Sequence, residues 1–463
     1  MVPAVDNTTP AEKTAAALDR ASFSEKWSVY ALRVPAKLCH GTRKAIKNHT
    51  LNLNRILSVV KLSQDDNHDA AVPTILLLLK YFSEHPHFKH ANSPRGNTDE
   101  SLIDATKEKV AKTLRESKLP EKIPSPVQSF LKQVKPDDVF TKQVQVDYAN
   151  WSAESVLKEI MPDNVTIPSS FESIGHIAHL NLRDEQAPFK QLIGQVMLDK
   201  LGPRVKTIVN KLENTGGPYR TFAMEVLAGE DNLITSVKEN GCTFKMDFSK
   251  VYWNSRLETE HRKIINSLKE DDVLADAFCG IGPFTIPAAK QKKCKAVYAN
   301  DLNPSSVVYL RENVKINKLD ERSIHTSCSC SRTFLTRLVK KEQVPITRVL
   351  MNFPAGAPEF LDVFRGLYAD WCGERPPMPI IHCYCFVRDE EDMGSARKRA
   401  RVALCGDRED ADILLPDACI DVRDVRDVAP RKRQVCVTVR VPEEIAFHNQ
   451  EQEEPLQKKA RAG

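Results

Sequence analysis

The 463-residue chain has no Cys-x2-Cys pair followed by a second one; its 12 cysteines stand singly or as Cys-x-Cys (Cys328 with Cys330, Cys383 with Cys385). No zinc site is readable, and no metal is expected. An apolar run of membrane length is also missing. The longest aliphatic stretch, Ile75–Leu79, is far shorter than the roughly 18 residues a spanning helix needs, so no membrane partner is expected. The first residues mix Asp6, Glu12 and Asp19 with Lys13 and Arg20, which resembles neither the apolar core of a signal peptide nor an Arg-rich, acid-poor transit peptide. A large charge imbalance is absent too. With 67 Lys and Arg against 62 Asp and Glu, the net charge is +5, which is compatible with a polyanionic partner but excludes a protein held to nucleic acid by charge alone. No internal repeat is visible.

What is present is the composition of an ordinary globular protein, 41% hydrophobic and 28% charged, with a length that predicts two or three compact units. Cysteines within strand-like apolar runs imply free thiols in a reducing compartment. The protein is therefore expected to be cytoplasmic, with nuclear and mitochondrial matrix pools left open; Lys458, Lys459 and Arg461 form a short basic end suited to nuclear import. The polar ends, 1–20 and 446–463, read as disordered tails. Between them we expect an N-terminal domain over 21–135, a middle α+β domain over 143–262 and an α/β domain over 263–445. The three prolines of Leu119–Pro126 predict a linker.

From Asp272 onward, short apolar runs (VLADAF, KAVYAND, RVLMNF, PIIHCYCF) alternate with helical stretches, which predicts a doubly wound, mainly parallel sheet. CIDVRDV and QVCVTVRV would supply two last strands, the final pair antiparallel. In such a sheet, ligands sit at the carboxyl ends of the strands. The segment from Asp276 to Pro283, DAFCGIGP, follows the first of these strands and places Gly280 and Gly282 in a tight turn. It lacks the third glycine of the dinucleotide fingerprint, which argues against a nicotinamide cofactor. Asp301 ends the next strand, where a carboxylate can accept both ribose hydroxyls of an adenosine ligand; the competing reading is that it caps the helix beginning at Asn303-Pro304. The run RVLM leads into Asn352-Phe353-Pro354-Ala355. An Asn there offers one acceptor and two donors to the edge of a base, although Asn-x-Pro is also an ordinary strand exit.

These motifs, with GPYRTFAMEVLAGE (217–230) and KMDFSKVYWNSRLETEHRKI (245–264), resemble the tRNA (guanine-37-N1)-methyltransferase family of archaea and eukaryotes. The resemblance implies a Rossmann-like class I methyltransferase domain, preceded by a small α+β domain and an N-terminal tRNA-binding domain, acting as a monomer. It implies S-adenosyl-L-methionine as cofactor and tRNA as partner. Residue by residue, Glu260 matches the family's general base, Arg220 its active-site arginine, and Asn352 and Pro354 its Asn-Pro motif. His261, Asp276, Gly280, Gly282, Asp301 and Leu302 match its cofactor site, to which Asn352 also belongs. Cys330-Ser331 stand where the family carries Asp-Gly against the adenine. Two alternatives remain: an aminocarboxypropyl transferase of wybutosine synthesis on the same fold, and a noncatalytic RNA-binding relative. Basic clusters at Arg397–Arg401 and Arg431–Arg433 are candidate phosphate contacts or solvated faces.

Overall fold

A computed structural model of the chain describes residues 18–50, 59–61, 74–84, 100–116, 123–168, 170–214, 219, 221–388, 393–406 and 408–448. The expected tails fall for the most part outside these residues. The chain divides into two compact units, one of 1–170 with 182–202 and the other of 171–181 with 203–463. The segment 143–262, expected as a middle domain, is shared between them.

The first unit is built on a four-stranded antiparallel sheet. Its strands are β1 (Glu25–Pro35), β2 (Val59–Lys61), β3 (Thr74–Glu84) and β4 (Val139–Val146), in the order β2-β3-β1-β4. Tyr30, Leu32 and Val34, alternating along β1, bury against Leu77 and Leu79 of β3 and against Val110, Ala111, Leu114, Val127 and Leu131 of two helices. This period of two on the strand against a helical period on its cover makes one half-buried sheet face. The linker expected at Leu119–Pro126 needs correcting at its C-terminal half, because Ser125–Lys132 is a helix. Pro126 sits in its first turn, where the missing N–H would have no partner anyway.

The second unit holds a seven-stranded sheet of β11 (Val273–Asp276), β12 (Ala296–Asp301), β13 (His325–Cys328), β14 (Arg348–Met351), β15 (Ile380–Arg388), β16 (Ile420–Ala429) and β17 (Lys432–Arg440), in the order β13-β12-β11-β14-β15-β17-β16. The first five strands are parallel, whereas β17 runs antiparallel to both β15 and β16. Both faces are covered: Val349, Met351, Cys383 and Val437 pack into one buried cluster, while Leu350, Tyr384 and Cys436 pack into a second. Two-sided burial explains why these strands read as continuous apolar runs. Chain order reverses on either side of β11, so the crevice that binds ligands in open α/β sheets lies at its C-terminal end.

The same unit carries a second sheet, β5 (Glu172–Ile174), β6 (Ile177–Leu180), β7 (Thr207–Asn214) and β8 (Phe222–Gly229), and a hairpin of β9 (Ile234–Glu239) and β10 (Cys242–Asp247). Asn240 and Gly241 make the hairpin turn with φ of 48° and 74°, as a two-residue turn matched to strand twist requires. One edge of β10 is closed by side chains rather than by a strand. Asn313 accepts from the Lys245 amide at 2.7 Å and donates to the Lys245 carbonyl at 3.1 Å. One turn on, Asn317 does the same for Thr243, at 2.9 and 2.7 Å. The two asparagines, four residues apart on the helix Pro304–Ile316 and its end, act as two rungs of a ladder.

Asn313→Ala, at a fully buried position, leaves both Lys245 backbone groups without this partner and is expected to destabilise the protein by about 1–3 kcal/mol. Urea unfolding measures it; a change below about 0.5 kcal/mol, the scale of an ordinary surface substitution, contradicts the ladder.

Candidate active site

The turn after β11 is shaped by two glycines. Gly282 has φ +97°, and a Cβ there would stand 2.7 Å from Leu310 Cδ1 and 2.8 Å from Ile286 Cγ1. Gly280, at φ +54°, faces open space. One glycine is thus needed for packing and the other for backbone conformation beside the crevice. The Ile286 amide bonds the Gly282 carbonyl at 3.0 Å, and Pro283 lies in the turn just before the helix Thr285–Lys290, whose N-cap is Phe284.

Asp301, at the end of β12, reaches across this turn. One carboxylate oxygen accepts from the Gly280 amide and the other from the Asn303 amide, both at 2.8 Å. The helix cap that competed for Asp301 is supplied by Asn303, which accepts from the Ser305 amide at 3.0 Å. Beneath the turn, Asp276 is fully buried; one oxygen accepts weakly from the Phe278 amide at 3.3 Å and the other has no partner among the described residues. Burial, opposed by that hydrogen bond and reinforced by the neighbouring Asp301 charge, pushes its pKa up to about 8.

A cavity of about 180 Å³ opens over the turn, and its walls include His261, Gly280, Asp301, Leu302 and Asn352. Three aromatic rings add an apolar wall: Phe278 stacks on Phe353 with centroids 5.3 Å apart, and Phe360 meets Phe278 edge-on at 5.3 Å. His261 is buried and its Nδ1 lies 2.5 Å from the buried Glu239 carboxylate, which fixes the ring.

Glu260 is 7% exposed on the helix Glu258–Ser267 and is not part of the cavity wall. It is held from the antiparallel end of the sheet. Arg423 donates to both its oxygens, at 2.6 and 2.7 Å, and the Tyr384 hydroxyl donates to Oε1 at 2.7 Å. Burial raises the carboxyl pKa, but these hydrogen bonds and the Arg423 charge outweigh it and leave the group below its ordinary value. The register pairs Tyr384 with Cys436 and Cys436 with Arg423, one row across three strands. Asn352 lies one step past the Met351–Cys383 pair and is therefore level with Tyr384; Gln434 of β17 reaches it at 3.5 Å.

Comparisons with known proteins agree with this geometry. The family model of the TRM5/TYW2 methyltransferase domain matches residues 235–409, and that of the TYW2 N-terminal domain matches 153–232. A tRNA (guanine(37)-N(1))-methyltransferase of Phytophthora infestans is 37% identical over 451 residues, covering 96% of this chain and 98% of that protein. The chain belongs to the tRNA (guanine(37)-N(1))-methyltransferase family. A second relative of that name, from Dictyostelium discoideum, is 43% identical over 323 residues, 69% of this chain and 68% of its own. The crystal structure of Trm5b from Pyrococcus abyssi shares the fold, with a TM-score of 0.54 at 23% identity over 89% of this chain and 99% of that one.

In a family of S-adenosyl-L-methionine-dependent enzymes, the residues around the glycine turn fit the cofactor. Gly280 leaves room for a ligand against the backbone, the Asp301 carboxylate stands at the tip of the second strand, and the cavity is walled by both polar groups and aromatic rings. Of the other residues singled out in the sequence, Asp276 and Gly282 lie behind this wall. Cys330 and Ser331 are also off it: Cys330 is exposed and precedes the helix Ser331–Thr336, while the Ser331 hydroxyl is buried without a partner among the described residues. Pro354 accepts from the Phe386 amide at 3.2 Å, joining its loop to β15. Arg220 lies outside the described residues. Within the arginine clusters, Arg397 donates to the Ile420 carbonyl, Arg399 to that of Phe386, Arg401 to that of Leu415, and Arg433 pairs with Asp424. Sequence reading missed Tyr384, Arg423, Gln434 and Glu239, whose significance comes only from pairing across the fold.

Asp276 gives a prediction with a defined sign. Its native pKa lies above the unfolded one, so the native state holds the proton more tightly and loses stability as pH rises from about 4 through 8. Asp276→Asn removes this dependence. Thermal melting at pH 5.5 and 8.5 is expected to show the variant gaining on the wild type at the higher pH; parallel shifts of the two proteins would refute a buried neutral acid.

Proposed function

We propose that this protein transfers a methyl group from S-adenosyl-L-methionine to N1 of guanosine 37 of tRNA, with Glu260 as the base. The single observation that supports these roles best is that a cavity walled in part by Asn352 and a buried carboxylate held by Tyr384 and Arg423 meet the sheet at the same level. The N1 of neutral guanine carries a proton and has no free lone pair until a base takes it. Glu260 is ionised at neutral pH, the state a proton acceptor needs. Asn352 presents one acceptor and two donors to the base edge, and the Phe278, Phe353 and Phe360 rings offer a face for an extruded base. The cofactor, when bound, supplies an electrophilic methyl on a sulfonium. Asp301 and Leu302 hold its nucleoside side, and Arg220, by family resemblance, steadies the charge that grows on the guanine oxygen. The N-terminal unit grips the tRNA on this reading, and the protein works as a monomer, predominantly in the cytoplasm.

The match to a TYW2 N-terminal domain gives the aminocarboxypropyl alternative a specific footing, and one experiment separates the two. Incubation with tRNA transcripts bearing G37 or A37, followed by mass analysis of the nucleosides, is expected to yield 1-methylguanosine from the first and nothing from the second. Glu260→Gln is expected to lower the single-turnover rate by about 100- to 10,000-fold with tRNA affinity nearly unchanged. An aminocarboxypropyl adduct, or methyl on another base, contradicts the proposal.

A further inference from the structure

The ion pair of Glu260, 7% exposed, with Arg423, whose side chain is 25% exposed, asks for an explanation that stability does not supply. Taking a carboxylate out of water costs several kcal/mol, and apolar packing in place of such a pair is often as stable or more so. Here the pair sits among apolar groups: the row that holds Arg423 also carries the buried Cys436 and Tyr384. Arg423 belongs to the outermost strand, β16, yet its guanidinium reaches a helix 163 residues earlier in the chain.

Counting lone pairs gives the arrangement a chemical meaning. A carboxylate has two oxygens and about four acceptor sites. Among the described residues, Oε1 accepts from both Tyr384 and Arg423, whereas Oε2 accepts from Arg423 alone. A two-pronged guanidinium also fixes the carboxylate plane, which a single ammonium cannot do. We infer that Arg423 is the positioning residue for Glu260, holding its carboxylate in one orientation with a single acceptor site, on Oε2, left for the proton of the guanine. The inference rests on the proposed role of Glu260 as base. When the guanine N1–H bond breaks, the proton passes to Oε2, the electron pair stays on N1 for the methyl group, and Arg423 is left without its anionic partner. Proton transfer is thereby opposed in the resting enzyme, where Glu260 stays charged.

The groups facing Glu260 are Arg423 on β16, Tyr384 and His382 on β15, Cys436 on β17 and Lys263 on its own helix. Burial keeps His382 neutral, with its pKa pushed down to about 4, and keeps the Cys436 thiol protonated, its pKa raised to about 12. Arg423 is therefore the group whose loss leaves burial of Glu260 unopposed, and that loss raises the carboxyl pKa.

The test is the pH dependence of single-turnover methyl transfer, measured with saturating S-adenosyl-L-methionine and tRNA on the full-length protein. Arg423→Ala is expected to move the acid limb upward by at least about one pH unit and to lower the plateau rate at least about tenfold, with S-adenosyl-L-methionine affinity unchanged. Arg423→Lys is expected to keep the limb near its wild-type position, because the charge remains, but to lose rate because the fork is gone. An unmoved limb in Arg423→Ala, or a wild-type rate in Arg423→Lys, overturns the inference; the second outcome stands even if the alanine variant fails to fold. Glu260→Gln run alongside separates the two levels. If it retains the wild-type rate, the base assignment itself falls; if it is inactive while the arginine variants behave as wild type, only the role of Arg423 does.

Discussion

A carboxylate buried on a helix between a sheet and its cover must be paired, and the pairing of Glu260 with Arg423 and Tyr384 organises this site. A lone buried charge is costly enough that it would protonate or unfold its surroundings. The partners here come from β15 and β16, on the far side of β17 from one another. Closing the sheet with an antiparallel pair is what makes this row: it puts Tyr384, Cys436 and Arg423 in register and brings them under the helix that also presents His261 to the cleft. The chemistry proposed for Glu260 therefore depends on the last two strands, although the residues proposed to hold the cofactor all precede them.

The opposite end of the cleft obeys a different constraint. Around the glycine turn, two carboxylates crowd a buried space, and both are pushed toward the neutral form by burial. Asp301 is held by two backbone amides, so its position is set before any ligand arrives. Asn300, beside it, ties the loop after β13 by donating to the Ser329 carbonyl at 2.9 Å and accepting from the Ser329 amide at 3.1 Å. The surroundings of the glycine turn are thus built from backbone and short polar side chains, while those of Glu260 are built from long side chains meeting across strands. A cleft assembled this way leaves little to be ordered when a ligand binds.

This difference explains what was legible in the sequence. The glycine turn, Asp301 and Asn352 were readable because strand ends carry function in an α/β sheet and the strands announce themselves as apolar runs. The strand β13 was not, since His325, Thr326, Ser327 and Cys328 contain no apolar run; it is an edge strand whose pairing is with β12 alone. Prolines misled at Pro124 and Pro126, which open a helix instead of breaking one. Four arginines of the clusters read as candidate phosphate contacts or solvated faces also bond carbonyl and carboxylate groups within the fold, which no local pattern announces. Arg423 gave no local signal at all: in CIDVRDV it is one charge among several on an edge strand, and its meaning lies entirely in a partner far away in the chain.

A base at Glu260 requires an ionised carboxylate in the free protein. Carbon-13 NMR titration of its side-chain carboxyl, assigned by comparison with the Glu260→Gln variant, measures this directly. The expected midpoint lies below the ordinary glutamate value of 4.5, with the group fully ionised at neutral pH; a midpoint near neutrality, the mark of a buried carboxyl without its arginine, would contradict it.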